Sequence, residues 1–423
     1  MKIKKHSAVV LMLLFSIITS SGILLTTPLI LRNYSGAIYI LWSISNSICA
    51  LLFIFDFGIT SVASQKFLSF FKNAKIFSKD SWVTFLRFHS KVLIISSLSL
   101  LTIFLLQIYF QSNLPISISS VTVFLFTILS TVLTIIGHQQ IIKYQIKDNY
   151  HTALSILTVT KLLETILVIV LLYLAVNFIA ICASILAVRC FQLFVLQRLS
   201  KESFYEDNNN SNAQIELEFT LKIFKGSIFY SASSVLGIHA TFLLHSVYMN
   251  TNQIVIVLIT RMIASPIRIF ADSLAIGNFD KFLRKSMLNS HAKSSFTEMV
   301  LTREYWALTL FTIPFTAIAN FFGSNLVNFL TNGQLQVDFV LLNLFCLANW
   351  LDGLIVIFMQ LRISKGMEHG IGQLYLATTF LGFISIFIFV PYLNLYAGAA
   401  SIILCNVLFI SMKLFSTGFK FEN

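Results

Sequence analysis

Residues 152–197 read TALSILTVTKLLETILVIVLLYLAVNFIAICASILAVRCFQLFVLQ, two apolar runs separated only by the joint at 176–178. A run of roughly 20 apolar residues crosses a hydrocarbon core of about 30 Å as an α-helix. The joint is too short to do anything but reverse the chain, so the stretch predicts a helical hairpin set across a bilayer. Inside lipid every backbone polar group needs an internal partner, which a helix supplies by itself. Closed barrels would show short alternating segments, and the sequence has none.

Outward from this hairpin the same unit recurs. Apolar spans fall at 8–31, 37–64, 89–110, 117–137, 152–176, 178–197, 226–248, 253–275, 305–325, 337–361, 371–391 and 396–415, about twelve in all. The expected fold class is an all-α polytopic membrane protein. Composition agrees: the 423 residues are 57% hydrophobic and 11% charged, where soluble domains carry about 25% charged residues.

The connections alternate in charge. Those at 111–115, 176–178, 249–252 and 391–396 are short and bare, and the longest of this set, near 323–338, is still short. The others hold the basic residues: Lys2, Lys4, Lys5; Lys66, Lys72, Lys75, Lys79, Arg87, Lys91; Lys143, Lys147; Lys281, Arg284, Lys285, Lys293; Arg362, Lys365; Lys413, Lys420. The net charge of +12 is therefore a positive-inside signal rather than a nucleic-acid surface, and it places both termini in the cytoplasm. Bare loops on the other side leave no room for a catalytic domain there.

The first basic cluster and apolar run resemble a signal peptide. The run exceeds the usual core of about 7–15 residues and no small-residue cleavage site follows, so it reads as an uncleaved first span. Cys49, Cys182, Cys190, Cys346 and Cys405 lie apart in apolar spans, without metal-ligand spacing, and read as packing residues. No phosphate-binding glycine loop, zinc spacing or nucleophile elbow occurs, so neither a cofactor, a metal nor a catalytic residue is expected.

The most polar stretch, 201–218 (KESFYEDNNNSNAQIELE), reads as a cytoplasmic linker. It divides the chain into a six-helix bundle at 1–200 and a second at 219–423. The halves echo one another. Lys2-Ile3-Lys4-Lys5-His6-Ser7 opens the first and Lys222-Ile223-Phe224-Lys225-Gly226-Ser227 the second, while Asp56 precedes Lys66-Phe67 much as Asp272 precedes Lys281-Phe282. Both halves start on the same side, so the repeats are parallel. Two such bundles imply alternating access around a central cavity.

An ionisable side chain at mid-bilayer costs about 2.5–3.5 kcal/mol on insertion scales and marks a functional candidate. The eighth span is the richest. Arg261, Ser265, Arg268 and Asp272, at i, i+4, i+7 and i+11, share one helix face, and Pro266 interrupts the backbone bonding among them. Arg268 and Asp272 read either as a self-neutralising pair or as cavity groups. Arg261 has no acid one turn away and is expected to face a partner helix or a wet cavity, where a guanidinium would suit a diphosphate. His239 is the deeper histidine of the seventh span, His245 the shallower, and Arg32 lies at the outer end of the first span. Asp56 and Asp352 are further acids within spans. Lys161 and Glu164, at i and i+3, most simply neutralise each other, and Arg189 is near enough to the cytoplasmic end to snorkel.

Pro28-Leu29-Ile30-Leu31-Arg32-Asn33-Tyr34-Ser35-Gly36, Tyr39, Trp42 and Phe55-Asp56-Phe57-Gly58-Ile59 resemble the opening of Wzx-type polysaccharide repeat-unit flippases. These belong to the superfamily that also holds multidrug extruders and the lipid II flippase. Asp56-Phe57-Gly58 matches the D-x-G of that family, and Ile40 stands where its first loop carries a second glycine. The resemblance implies translocation of an undecaprenyl-diphosphate-linked oligosaccharide, an O-antigen or capsule unit, with membrane lipids and the pathway's polymerase and chain-length regulator as partners. With the charges, it implies diphosphate binding by Arg261, with Arg268, Arg32 and His239 as further candidates, and ion coupling by Asp56, Asp272 or Asp352. A multidrug extruder shares the architecture, but unpaired acids would suit its cavity better than arginines. A membrane oligosaccharide polymerase would carry a larger outer loop.

Overall fold

The computed structural model describes residues 2–55, 79–110, 117–146, 150–199, 229–277, 302–331, 333, 336–364 and 369–418. The linker at 201–218, the basic stretches 56–78 and 278–301, and the opening of the second half quoted for the repeat lie outside them. The chain is all helix and turn wherever it is described. The first half holds α1 (Lys2–Asn33), α2 (Gly36–Ala50), the short α3 (Leu52–Phe55), α4 (Lys79–Phe110), α5 (Ile118–Ile146), α6 (Tyr150–Tyr173) and α7 (Phe178–Leu199). The second holds a π-helical turn (Leu236–Ala240), α8 (Thr241–Ser246), α9 (Thr251–Gly277), α10 (Arg303–Thr331), α11 (Phe339–Ser364), α12 (His369–Leu393), a 3₁₀ turn (Asn394–Tyr396) and α13 (Ala397–Gly418).

Among the described residues, ten segments are long and apolar enough to cross a membrane, and one of them, Gly370–Lys413, contains both α12 and α13. The protein is a multi-pass membrane protein. Two expected boundaries move. Helix α10 continues to Thr331, because 323–331 (GSNLVNFLT) keeps its apolar residues at helical spacing, so the connection before α11 is shorter than the sequence suggests. The seventh span carries the π-helical turn in mid-course, and α2 ends at Ala50 with a break before α3.

At the bare end the chain reverses through capped turns. Ser35 accepts from the Ile38 amide and Ser117 from Ser120, while Asn177 accepts from Ile179 and Asp338 from Leu341. Asn250 and Gln253 exchange side-chain and backbone bonds at 3.0 and 2.9 Å in a capping box. Each of these side chains satisfies an amide that a helix start leaves orphaned, which matters most near lipid.

The halves meet along α1 and α2 on one side and α9 on the other. Ser16 of α1 and Ser273 of α9 are in hydroxyl contact, and Thr27 donates to the Met262 sulfur at 2.9 Å. One buried cluster runs through both halves, from Ile30, Ile44 and Ile48 to Ile259, Ile263 and Ile267. Lipid offers no hydrophobic drive for helix association, so close approach at small residues carries the packing. A Cβ on Gly353 would lie 2.8 Å from Ala271 Cβ and 2.9 Å from Leu308 Cδ2, and one on Gly382 would lie 2.6 Å from Cys405 Cβ. Outward-facing Ile94, Ile95 and Leu98 of α4 are more than half exposed, as a lipid-facing stripe requires.

Candidate functional site

Helix α9 carries the polar face expected from its spacing, and it lies at the seam between the halves. Pro266 has no amide to give the Met262 carbonyl, and Ser265 Oγ donates to that carbonyl at 2.8 Å instead. The helix therefore runs unbroken past the proline. Asn349 of α11 adds a bond to the Ala264 carbonyl at 3.0 Å.

Arg261 sits near the middle of α9, partly buried, with its guanidinium carbon 5.6 Å from the centre of the Phe242 ring. Tyr39 of α2 lies within its electrostatic reach. Among the described residues no carboxylate is within ion-pair distance of it. The cation is thus held by an aromatic face from the second half and a phenol from the first. Its charge is left unneutralised between them.

Arg268, two turns on, is placed differently. Its Nε meets both carboxylate oxygens of Asp272 at 3.2 Å, its Nη1 contacts Asp352 of α11, and its Nη2 reaches Ser234 Oγ at 3.3 Å. Tyr375 of α12 donates to Asp352 Oδ1 at 2.9 Å, and the Tyr230 ring lies 6.4 Å from that of Tyr375. One cation is shared by two acids. Asp352 is buried, whereas the Asp272 side chain is 42% exposed. The cluster as a whole carries one carboxylate more than it has cations.

His239 lies in the π-helical turn, within electrostatic reach of Arg261 and Arg268, and its buried Nδ1 has no hydrogen-bond partner among the described residues. The inserted residue of a π-turn re-aims side chains and commonly marks functional positions. His245 does a structural job: its Nε2 donates at 2.7 Å to the carbonyl of Asn394, which holds φ 41° in the bare-end turn. Arg32 is at the bare end of α1, apart from Arg261 and Arg268, and Asp56 lies outside the described residues.

The first half holds a second charged cluster. Lys161 Nζ donates to Glu164 Oε1 at 2.6 Å, as the i, i+3 spacing predicts. Arg189 does not snorkel. Its Nε meets Glu164 Oε2 at 2.7 Å and its Nη1 donates to Gln192 at 3.0 Å, because the packing of α6 against α7 brings a carboxylate within reach of the guanidinium. Two cations share one acid here, the reverse of the balance around Arg268. They border a cavity of about 230 Å³ lined by α1, α2, α5, α6 and α7. The roles of Tyr375, Phe242 and Tyr39 are not readable from spacing, since each comes from a helix other than α9.

No family model matches the sequence, and no curated protein does. Solved structures match by fold. The chain is similar to the lipid II flippase MurJ in an inward closed conformation, at 14% identity over 96% of this chain and 88% of that one, with a TM-score of 0.66. It is also similar to an outward-facing multidrug resistance MATE transporter of the MOP superfamily, at 13% identity over 98% and 95% of the chains, TM-score 0.62. A point mutant of the Vibrio cholerae MATE transporter VcmN matches at 11% identity over 99% and 97%, TM-score 0.61. The chain has the fold shared by these transporters and this flippase.

Proposed function

We propose that the protein is a flippase carrying an undecaprenyl-diphosphate-linked oligosaccharide, an O-antigen or capsule repeat unit, across the bacterial inner membrane by alternating access. The observation that carries the reading is Arg261, a guanidinium without a carboxylate partner among the described residues, where α9, α8 and α2 meet. A diphosphate cannot enter hydrocarbon bare, and a fixed cation lowers that cost. Binding at the seam would also be felt by both bundles, 1–200 and 219–423, joined through the linker at 201–218. The sugar would occupy the space between bundles while the lipid tail stays in the bilayer. His239 adds a polar imidazole to the lining, Arg32 serves the outer mouth, and Arg268 is held in reserve by its two carboxylates.

The excess carboxylate around Arg268 supports ion coupling. A proton or sodium ion taken up by Asp272 or Asp352, with Asp56 as the corresponding acid of the first half, would change how tightly Arg268 is held and so bias one bundle arrangement. The basic connections put both termini in the cytoplasm. The polymerase and chain-length regulator of the pathway are the expected protein partners.

The test is complementation of a flippase-deficient strain. Arg261→Ala is expected to abolish surface polysaccharide and Arg261→Lys to restore it in part. Full surface polysaccharide from Arg261→Ala at equal expression would remove the residue from the mechanism. Transport that ignores collapsed proton and sodium gradients would remove the coupling. A second reading, export of cationic drugs, draws on the same excess carboxylate; a deletion strain of unchanged drug sensitivity excludes it.

A further inference from the structure

The cavity of the first half has walls of two kinds. Thr19, Thr127, Thr131 and Thr134 all line the cavity, and each donates its hydroxyl proton to a backbone carbonyl one turn back, at 2.8–2.9 Å, so what these hydroxyls have left to offer is acceptor capacity. The same lining holds donors. Lys161 spends one of its three N–H bonds on Glu164, and Arg189 spends its Nε–H on Glu164 and one Nη1–H on Gln192, which leaves three of its five. Ser130, on the cavity wall and only 8% exposed, has a buried hydroxyl with no partner among the described residues. Trp42 adds an aromatic wall. With Glu164 counted against Lys161 and Arg189, the pocket keeps one uncompensated positive charge.

A small inorganic anion would answer the charge but not the row of acceptors. A neutral sugar would answer the acceptors but not the charge. We propose that this cavity is a subsite for one acidic sugar, a hexuronate residue of the transported saccharide, with its carboxylate on Lys161 and Arg189 and its hydroxyls donating to the threonine oxygens. The volume, about 230 Å³, falls below the roughly 300–1,000 Å³ of drug-sized sites and suits a single ring rather than a chain. This assignment rests on the flippase reading for its biological source, though not for its binding chemistry.

The experiment is thermal unfolding of the full-length protein in detergent, titrated with sodium glucuronate, glucose, sodium acetate or sodium chloride at matched ionic strength. Glucuronate is expected to raise the unfolding temperature in a saturable way, with glucose and acetate far weaker. Lys161→Met should weaken the glucuronate effect by about tenfold or more, as for loss of a charge-assisted hydrogen bond. The uncharged Thr131→Val keeps the shape and should weaken it less. Equal shifts from acetate, chloride and glucuronate would reduce the cavity to an anion site, and no shift from glucuronate would overturn the proposal. Wild-type protein decides these outcomes even where a variant fails to fold. Glucuronate binding by a wild-type protein that fails to restore surface polysaccharide to a flippase-deficient strain would sink the flippase reading and leave the subsite standing.

Discussion

The guanidinium of Arg268 on α9 contacts the carboxylate of Asp352 on α11 across the seam where Gly353 brings the two helices together. Asp272, one turn along α9, shares the same cation. The pair is buried, with side-chain exposures of 13% and 5%. It joins the helix at the junction between halves to the interior of the second bundle.

Removing either partner should be worse than removing both. Arg268→Met leaves Asp352 as a buried uncompensated charge, and the expected loss is about 3–5 kcal/mol, as for other broken buried pairs. Arg268→Met with Asp352→Leu is expected to recover most of it, leaving the half-exposed Asp272. Thermal unfolding of the two single variants and the double variant gives the coupling directly.

Gly353→Val should destabilise through shape alone. Its side chain would enter space already held by Ala271 and Leu308, and overpacking of this kind costs about 1–3 kcal/mol. The unfolding temperature should fall, and transport should fall with it, since displacement of α9 from α11 also separates Arg268 from Asp352.

Ser265 and Pro266 should behave as a unit. Ser265→Ala leaves the Met262 carbonyl without its donor, at a cost of about 0.6 kcal/mol, typical of a side-chain bond inside a membrane bundle. In a Pro266→Ala background the restored amide supplies the bond, and Ser265→Ala should then be silent. A four-variant unfolding cycle reads this.

His245→Ala should loosen the bare-end turn between α12 and α13 by about 1–3 kcal/mol, because the Asn394 carbonyl loses its donor. Asn394→Gly should be tolerated, since glycine adopts φ 41° without a Cβ penalty. Export should change little in either variant at permissive temperature, which separates His245 from His239.

Phe242→Leu removes the ring beneath Arg261. The contact is worth about 0.5–2 kcal/mol, so stability should drop modestly. The cation remains, and complementation should be retained in part, unlike that of Arg261→Ala.

Much of the architecture was legible in one dimension. A hydrocarbon core admits only self-satisfied helices, so apolar length was enough to place most spans, though not the end of α10 or the break after α2. Helical periodicity also put Arg261, Ser265, Arg268 and Asp272 on one face, and paired Lys161 with Glu164. What it left open was partner choice between helices. Arg189 found Glu164 instead of the interface, Arg268 took Asp352 as well as Asp272, and Arg261 was left with an aromatic face and no acid among the described residues. Those choices depend on which helix faces come together, through close approach at residues such as Gly353. Such packing is non-local, so only the tertiary structure decided which charges were cancelled and which stayed free.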